Sequence, residues 1–199
     1  MRNYPRKKIE VPGFIKGLIF DCDGTLVDSM PLHMKAWEYA VIRERAVWDY
    51  DFFFSKKGMP GKDMIELYNQ HFAKKISFVE TMQVKQEYFH QHRKDFQPIQ
   101  PIVNIVLHYK DKIPMAVASG GMRENVCLQL ESLGIKEYFN AIITADDDIR
   151  PKPSPDIFLE AAARLGVSSN LCQVFEDGDL GLQAAREAGM IATDVRPFL

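Results

Sequence analysis

The stretch FIKGLIFDCDGT, residues 14–25, joins a short and mostly apolar run to an acidic turn. The run Phe14–Phe20 has the length and composition of a buried β-strand, and the aspartates and glycine after it are typical of a loop. Asp21 and Asp23 lie two residues apart, so in an extended segment both side chains leave the backbone on the same side. The stretch therefore predicts a strand that brings two carboxylates to its carboxyl end.

Short apolar runs of the same kind recur through the second half of the chain. They predict strands at Met115–Ala118, Ala141–Thr144, Cys172–Phe175 and Ile191–Val195. Helical patterns that stop at a glycine predict helices at Arg123–Leu133, Pro155–Leu165 and Leu180–Ala188. Strands and helices in alternation predict an α/β fold, a doubly wound parallel sheet with helices on both faces.

A segment of different character interrupts this alternation after the first strand. It is rich in aromatic and charged residues, and its patterns predict helices at Leu32–Arg43, Lys62–Lys74 and Ser77–Lys94. A helical block of this size indicates a lid inserted into an α/β core. We therefore predict a core domain formed by residues 1–29 and 98–199, and an inserted α-helical cap domain formed by residues 30–97.

Composition excludes several classes of protein. The 199 residues are 46% hydrophobic, and 25 Lys and Arg against 27 Asp and Glu give a formal net charge of -2. The sequence has no basic surplus for nucleic acid, no apolar run of about 18 residues for a membrane crossing, and no apolar secretory signal. Three widely spaced cysteines, Cys22, Cys127 and Cys172, indicate reduced thiols. We therefore expect a cytoplasmic protein with neither nucleic acid nor a membrane as a partner.

Polar groups follow four of the five predicted strands. The carboxyl ends of parallel strands meet at one edge of a sheet, where ligands collect. The groups expected at that edge are Asp21, Asp23, Gly24 and Thr25 after the first strand, Ser119 and Gly120 after the second, Lys152 past the third, and Glu176 and Asp177 after the fourth.

These groups form a set that fits phosphoryl transfer. One of two paired aspartates can attack phosphorus while the other moves a proton. Asp21, Glu176 and Asp177 would form the hard oxygen cluster that Mg²⁺ prefers. Lys152 would offset the negative charge, and Ser119 with the flanking backbone amides would donate hydrogen bonds to phosphate oxygens.

Each of these signals alone also has a simpler explanation. A lone pair of aspartates is most often a solvated turn, a Glu-Asp pair a helix cap, and a serine after a strand a turn former. A lysine between prolines is normally exposed to solvent. Their joint placement after successive predicted strands is much harder to obtain by chance, so we favour the functional interpretation.

Four ordered motifs resemble those of the haloacid dehalogenase superfamily: FDCDGTLVDS (20–29), AVASGG (116–121), RPKPSPDIFLEAA (150–162) and FEDGDLGLQAAREAGM (175–190). They look most like its β-phosphoglucomutase-like and sugar-phosphatase branch, which carries a helical cap after the first motif. The C-terminal GMIATDVRPFL (189–199) is similar to that of fructose-1-phosphatase-type members. The resemblance implies a Mg²⁺-dependent phosphatase that hydrolyses a small sugar phosphate through an aspartyl-phosphate intermediate.

The resemblance also implies a role for each matching residue. Asp21 would be the nucleophile, and Asp23 would be the general acid and base. The ligands of Mg²⁺ would be the side chains of Asp21, Glu176 and Asp177 with the backbone carbonyl of Asp23. The substrate and its phosphate would be held by Thr25, His33, Lys57, Ser119, Gly120 and Lys152. Most relatives with this cap are monomers, and we expect the same of this chain.

Departures from the mutase pattern distinguish the leading hypothesis from an isomerase. Mutases carry an arginine shortly after the cap Lys-Gly pair, but here Gly61 stands at that position, and the neighbouring Lys62 offers only a point charge. Met122 stands where mutases have polar and basic groups. Because both losses weaken a site for a second phosphate, we favour a phosphatase over a β-phosphoglucomutase. Two further hypotheses are an inorganic pyrophosphatase of the same branch and a non-catalytic binding module.

The remaining conspicuous residues have structural interpretations beside the functional ones. His33 matches a mutase histidine that helps to position the proton-transferring aspartate, but its spacing fits a helix-surface histidine equally well. Cys22 is expected to pack rather than to act as a nucleophile, since no basic residue adjoins it. Phe52–Phe54, Trp37 and Trp48 are expected to form the core of the cap.

Overall fold

The computed structural model describes residues 9–56 and 59–199, and the chain divides into two compact units. The first unit combines the chain up to Asp28 with Gln97–Leu199, and the second unit is Ser29–Phe96. The second unit is thus a continuous segment inserted between the two parts of the first.

The strands and helices of the described residues are as follows, in chain order. The strands are β1 (Gly17–Phe20), β2 (Val27–Asp28), β3 (Gln97–Pro98), β4 (Met115–Ala118), β5 (Ala141–Ile143), β6 (Cys172–Glu176) and β7 (Ile191–Asp194). The helices are α1 (Met30–Arg43), α2 (Tyr50–Phe54), α3 (Gly61–Phe72), α4 (Phe78–Gln91), α5 (Gln100–Tyr109), α6 (Arg123–Ser132), α7 (Asp156–Leu165) and α8 (Asp179–Glu187). Among them, no helix has both the length and the apolar character that crossing a membrane requires.

The five longer strands form one parallel sheet in the order β5-β4-β1-β6-β7. β1 lies at its centre and pairs in parallel with β4 and β6, so that Leu18 faces Met115 on one side and Gln173 on the other. All four residues of β1 are buried, as expected for a central strand covered on both faces. The predicted doubly wound parallel sheet is confirmed, and its topology places the residue after β1 at the middle of the carboxyl edge.

Helices α6, α7 and α8 end where the glycine signals predict. Gly166 is the left-handed C-cap of α7 with φ 66°, while Gly134 and Gly189 follow α6 and α8 at φ 66° and 73°. A side chain at such a position would clash with the backbone, which is why glycine is favoured there. From α7, Phe158 and Ala161 pack against Ile19 of β1 in the main apolar cluster of the first unit.

Four elements of the structure are absent from the sequence prediction: α5, β2, β3 and α2. Pro98 and Pro101 suggest a break where helix α5 begins, but Pro101 lies in its first turn, where a missing N–H group costs no hydrogen bond. β2 and β3 form an antiparallel pair of two residues each, too short for a pattern to detect. Helix α2 is a single short turn of helix. β1 also begins at Gly17 rather than at Phe14, whose side chain is exposed.

Helices α1 to α4 form the second unit around an aromatic core. Phe53 lies at its centre, with ring centroids 5.2 Å from Trp37, 4.9 Å from Trp48 and 5.6 Å from Tyr68. The prediction that these aromatic residues pack as a core is confirmed for Phe52, Phe53 and Trp37. It is wrong for Phe54, which is 41% exposed and stacks on Tyr50 one helical turn away.

Candidate active site

Asp21 is the first residue after β1, and it lies buried at the carboxyl edge of the sheet. Its backbone N–H group donates to the carbonyl of Phe175 on β6 at 3.0 Å. Lys152 Nζ donates to Asp21 Oδ1 at 2.7 Å and to Glu176 Oε2 at 2.7 Å. The fold therefore brings a carboxylate from β1, a carboxylate from β6 and an ammonium group from the segment before α7 into direct contact.

A third carboxylate completes a cluster of oxygen ligands. Oxygen atoms of Asp21, Glu176 and Asp177 lie within 4.8 Å of one another. Asp177 is held by Thr25, whose hydroxyl donates to Oδ1 at 3.2 Å, and Glu176 Oε1 accepts a hydrogen bond from the amide of Gly178 at 2.9 Å. Carboxylate oxygens are the ligands that Mg²⁺ prefers, so these three residues fit a magnesium site.

The electrostatics of this cluster are those of a site with too little positive charge. Burial raises the pKa of Asp21 well above its usual value, and the Glu176 carboxylate raises it further, although Lys152 opposes the shift. Burial and the Glu176 carboxylate likewise raise the pKa of Asp177. Burial alone would lower the pKa of Lys152, but the carboxylates of Asp21 and Glu176 outweigh it and raise that pKa. A divalent cation beside the three carboxylates would relieve their repulsion.

Two glycines keep the space around these carboxylates open. A methyl group built on Gly24, which has φ +83°, would contact the carboxylate of Asp177. A methyl group on Gly181, in the first turn of α8, would overlap the carboxylate of Glu176. The absence of a side chain at both positions therefore decides where two of the three ligand residues can lie.

Asp23 forms a β-bridge with Val27, and a tight turn connects the two residues. The strand ends at Phe20, and the carbonyl of Cys22 accepts hydrogen bonds from the amides of Thr25, Leu26 and Val27. The Oδ1 atom of Asp23 accepts a hydrogen bond from Gln129 Nε2 at 3.0 Å.

Ser119 lies at the end of β4, beside Asp23. Its amide donates to the carbonyl of Ile143 at 3.0 Å, and its hydroxyl oxygen accepts from the amide of Gly121 at 3.0 Å. A methyl group built on Gly121 would lie 3.3 Å from both Asp23 Oδ2 and Ser119 Oγ. Ser119 is buried, whereas Gly120 is exposed beside it. One edge of the first unit thus holds the serine, the lysine and all four acidic residues of the predicted site.

Comparison with known proteins decides the family. A model of the haloacid dehalogenase-like hydrolases matches residues 18–195. The chain belongs to this family. It is 36% identical over 190 residues to fructose-1-phosphate phosphatase YqaB of Escherichia coli (strain K12), covering 90% of this chain and 96% of that protein. It is 28% identical to the beta-phosphoglucomutase of Bacillus subtilis (strain 168), covering 91% of this chain and 83% of the mutase.

A solved structure of the same family has a similar fold. CbbY from Rhodobacter sphaeroides, in complex with phosphate, superposes with a TM-score of 0.78 at 26% identity, covering 89% of this chain and 84% of that one. The predicted membership of the haloacid dehalogenase superfamily is therefore confirmed.

Two predicted binding residues of this hydrolase fall in the segment 29–96. His33 lies on α1, with its ring 4.5 Å from the ring of Phe89 and its Nδ1 3.4 Å from Lys85 Nζ. The two interpretations of His33, as a group that positions the proton-transferring aspartate and as a helix-surface residue, both stay predictions. Lys57 lies outside the described residues, so its predicted role stays a prediction.

The sequence prediction missed two buried polar residues. Lys85 of α4 is 6% exposed, and its ammonium group lies over the rings of Trp37 and Phe89 at 5.0 and 5.3 Å. Gln129 of α6 is fully buried against Asp23. For Lys85 a signal existed, since Thr81, Lys85 and Phe89 recur at the four-residue spacing of one helix face.

Cys22 occupies the turn between the two aspartates as a buried thiol. Its Sγ donates to Gln129 Oε1 at 3.5 Å. Burial and the nearby carboxylates of Asp23 and Asp21 raise the pKa of Cys22 well above its usual value. A thiol that keeps its proton is a poor nucleophile, which supports its interpretation as a packing residue. Cys22, Cys127 and Cys172 are all free.

Proposed function

We propose that this haloacid dehalogenase-like hydrolase is a Mg²⁺-dependent phosphatase that hydrolyses a small sugar phosphate through an aspartyl-phosphate on Asp21. The chain is a phosphoric monoester hydrolase by its family and relatives. The observation that carries the proposal is the contact of buried Asp21 with Lys152 inside a cluster of three carboxylates. The name of the E. coli relative, fructose-1-phosphate phosphatase, supports the substrate class.

The first chemical step forms a bond between a carboxylate oxygen of Asp21 and phosphorus. The bond from phosphorus to the sugar oxygen breaks, and that oxygen takes a proton from the Asp23 carboxyl group. Lys152, which already contacts Asp21 Oδ1 at 2.7 Å, would hold a phosphate oxygen close to the nucleophile. A magnesium ion bound by Asp21, Glu176, Asp177 and the Asp23 carbonyl would supply the charge that lets an anionic nucleophile approach a phosphate dianion.

The second step returns Asp21 to its starting state. Water attacks phosphorus, the bond to Asp21 breaks, and the proton lost by water passes to the Asp23 carboxylate. Ser119 and the amide of Gly120 would donate hydrogen bonds to the phosphoryl oxygens, and Thr25 keeps Asp177 in place through the hydrogen bond at 3.2 Å. His33 and Lys57 would contact the sugar.

Water rather than a second sugar is the proposed acceptor, although a mutase is among the relatives. Gly61 begins α3, and a methyl group there would lie 2.8 Å from Met82 Sδ. Met122 is the N-terminal cap residue of α6 and is 40% exposed. Neither residue offers the charged, bidentate contact that a second phosphate needs. We also propose that the enzyme acts in the cytoplasm, since its cysteines are free thiols.

A phosphate-release assay with and without Mg²⁺ tests the proposal. Fructose 1-phosphate, β-glucose 1-phosphate and pyrophosphate are supplied separately, and both free phosphate and glucose 6-phosphate are measured. We expect free phosphate from at least one sugar phosphate, and none after the metal is removed with EDTA. Glucose 6-phosphate as the main product would identify a mutase, release from pyrophosphate alone a pyrophosphatase, and no turnover at all a binding module.

A further inference from the structure

Gln129 is a glutamine of α6 whose side chain is completely buried and contacts the turn that follows β1. The exposed fraction of the residue is 0%. Its Nε2 donates to Asp23 Oδ1 at 3.0 Å, and its Oε1 accepts from Cys22 Sγ at 3.5 Å. Both polar ends of the carboxamide therefore have partners, and both partners belong to the loop that carries the proposed nucleophile.

Most of the buried residues of α6 near Gln129 are apolar, and Asn125, one turn earlier, is the buried polar exception. The residues before and after the glutamine, Leu128 and Leu130, are buried, and so is Val126. Burying a carboxamide among such neighbours is unfavourable unless hydrogen bonds compensate. The two contacts to Cys22 and Asp23 supply that compensation, so the polar side chain is tied to the geometry of the acidic turn.

The chemistry of the two partners fixes the orientation of the carboxamide. A thiol S–H group donates and therefore faces Oε1, while a carboxylate accepts and therefore faces Nε2. Because an amide N–H group cannot accept a proton, Asp23 Oδ1 acts as an acceptor in this contact. A proton that Asp23 gives or takes is consequently located on Oδ2.

The surroundings of Oδ2 agree with these roles, in which Oδ1 accepts a hydrogen bond and Oδ2 exchanges the proton. Oδ2 adjoins Gly121, where a built methyl group would lie 3.3 Å from it and equally far from Ser119 Oγ. Ser119 is the residue proposed to bind phosphoryl oxygens. The oxygen that Gln129 does not contact thus lies on the side of the phosphate-binding serine.

We propose that Gln129 is a positioning residue that holds Oδ1 of Asp23, so that Oδ2 exchanges the proton with the sugar oxygen and then with water. This inference rests on the proposed function, in which Asp23 is the general acid and base. In the first step the proton leaves Oδ2 as the bond from phosphorus to the sugar oxygen breaks. In the second step Oδ2 recovers a proton from the attacking water.

The leaving group provides a test that distinguishes positioning from a merely structural role. A sugar alkoxide must be protonated as it leaves, whereas p-nitrophenolate leaves readily without a proton. The ratio kcat/KM reports on the steps up to phosphoryl transfer to Asp21. Gln129→Met, which keeps the size of the side chain but removes the N–H donor, should lower kcat/KM for the best sugar phosphate by about 10- to 100-fold. It should lower kcat/KM for p-nitrophenyl phosphate by less than about threefold.

Gln173→Met is the matched control. Gln173 is also a buried glutamine of the first unit, but its carboxamide donates to Thr193 Oγ1 at 2.8 Å and to the carbonyl of Glu10. The control variant should change kcat/KM for both substrates by the same factor. Gln129→Asn, which keeps a carboxamide but shortens it by one methylene group, should behave like Gln129→Met.

The comparison remains valid if a variant is partly unfolded, because the ratio between the two substrates is measured on one sample and the folded fraction cancels. A selective loss with the sugar phosphate supports the inference. Equal losses with both substrates, as in Gln173→Met, would overturn it while leaving the proposed function intact. A wild-type enzyme that hydrolyses neither substrate would instead overturn the proposed function, and the inference with it.

Discussion

The pKa of Asp21 depends on its burial and on the charges of its neighbours, Lys152 among them. Asp21 and Glu176 are buried beside the half-buried Asp177, and Lys152 contacts two of these three carboxylates. One ammonium group balances one of the three negative charges. The pKa of Asp21 is accordingly raised by burial and by Glu176. A further cation beside the cluster would favour the anionic form that the proposed nucleophile needs.

Replacing the nucleophile tests its role directly. Asp21→Asn should lower kcat by about a thousandfold or more, because an amide nitrogen or oxygen does not attack phosphorus as a carboxylate does. The fold should persist, since asparagine matches the size of aspartate and removes one repelling charge. Phosphate release and circular dichroism measure the two effects. Asp111→Asn, at an exposed position, is the control. Activity within about tenfold of wild type would remove Asp21 from this role.

Removing a metal ligand should abolish the response to magnesium. Wild-type protein stripped with EDTA should be inactive, and added Mg²⁺ should restore activity and raise the unfolding temperature, because the cation binds the folded state alone. Asp177→Ala should show neither response up to millimolar Mg²⁺. Calorimetric titration and thermal unfolding check this. Full activity of the stripped wild-type protein would contradict the proposed metal dependence.

Single residues divide into those that a sequence pattern identifies and those that it does not. Asp21, Ser119 and Glu176 each follow a predicted strand directly, so strand prediction alone places them at the sheet edge. Gln129 lies inside a helix between Leu128 and Leu130, and only the fold brings it against Asp23, which is 106 positions away. A contact of that kind depends on helix rotation and on distances that periodicity does not specify.

At the scale of elements, the connection from β6 to α8 positions two of the three proposed metal ligands, Glu176 and Asp177. Glu176 ends β6, and its Oε1 accepts from the amide of Gly178 before the helix starts at Asp179. Gly181 lies so close to the Glu176 carboxylate that a Cβ atom on this residue would overlap it. The first turn of a helix therefore acts as one wall of the proposed metal site.

Adding one methyl group to that wall should weaken the site. Gly181→Ala should reduce Mg²⁺ affinity by about 10- to 100-fold, because the methyl group would push the buried Glu176 carboxylate out of the cluster. The concentration of Mg²⁺ that gives half-maximal activity is the measurement. Gly13→Ala, where a methyl group would meet no atom within 4 Å, is the control. An unchanged magnesium requirement would show that Glu176 is not held by this contact.

Elements were predictable where their patterns were long or ended in clear signals. The buried strands β4 and β6 and the glycine-terminated helices lie within one or two residues of their predicted positions. Helix α5 had no such signal, because Pro101, which is typical of an interruption, lies in its first turn. A proline signals an interruption, and only tertiary packing decides whether a helix begins there.

At the scale of the whole molecule, strict alternation of strand and helix made the parallel sheet predictable, since few topologies accommodate it. The order of the four motifs identified the family, and the comparisons confirm it. The identity of the sugar, by contrast, was not predictable from the sequence. The residues proposed to contact the sugar, His33 and Lys57, come from the family resemblance, and no pattern in the chain specifies which sugar they would bind.

The fate of the phosphoryl group is a property of the complete enzyme. With β-glucose 1-phosphate and a trace of glucose 1,6-bisphosphate, free phosphate should exceed glucose 6-phosphate. Loss of a charged clamp on the second phosphate costs about 2–5 kcal/mol, which lets water compete successfully for the aspartyl-phosphate. Gly61→Arg should raise the share of glucose 6-phosphate if Met82 moves aside. Wild type forming glucose 6-phosphate faster than free phosphate would show that Lys62 or another group supplies the clamp.

Trapping the phosphorylated enzyme tests the central claim most directly. Wild-type protein with Mg²⁺ is mixed with a sugar phosphate that carries radiolabelled phosphate, quenched with acid at successive times within one turnover, digested and mapped by mass spectrometry. The proposed mechanism predicts label that appears on the peptide containing Asp21, decays as free phosphate forms, and is absent from Asp21→Asn. Release of free phosphate at the full rate while the peptide with Asp21 stays unlabelled at every time would contradict it.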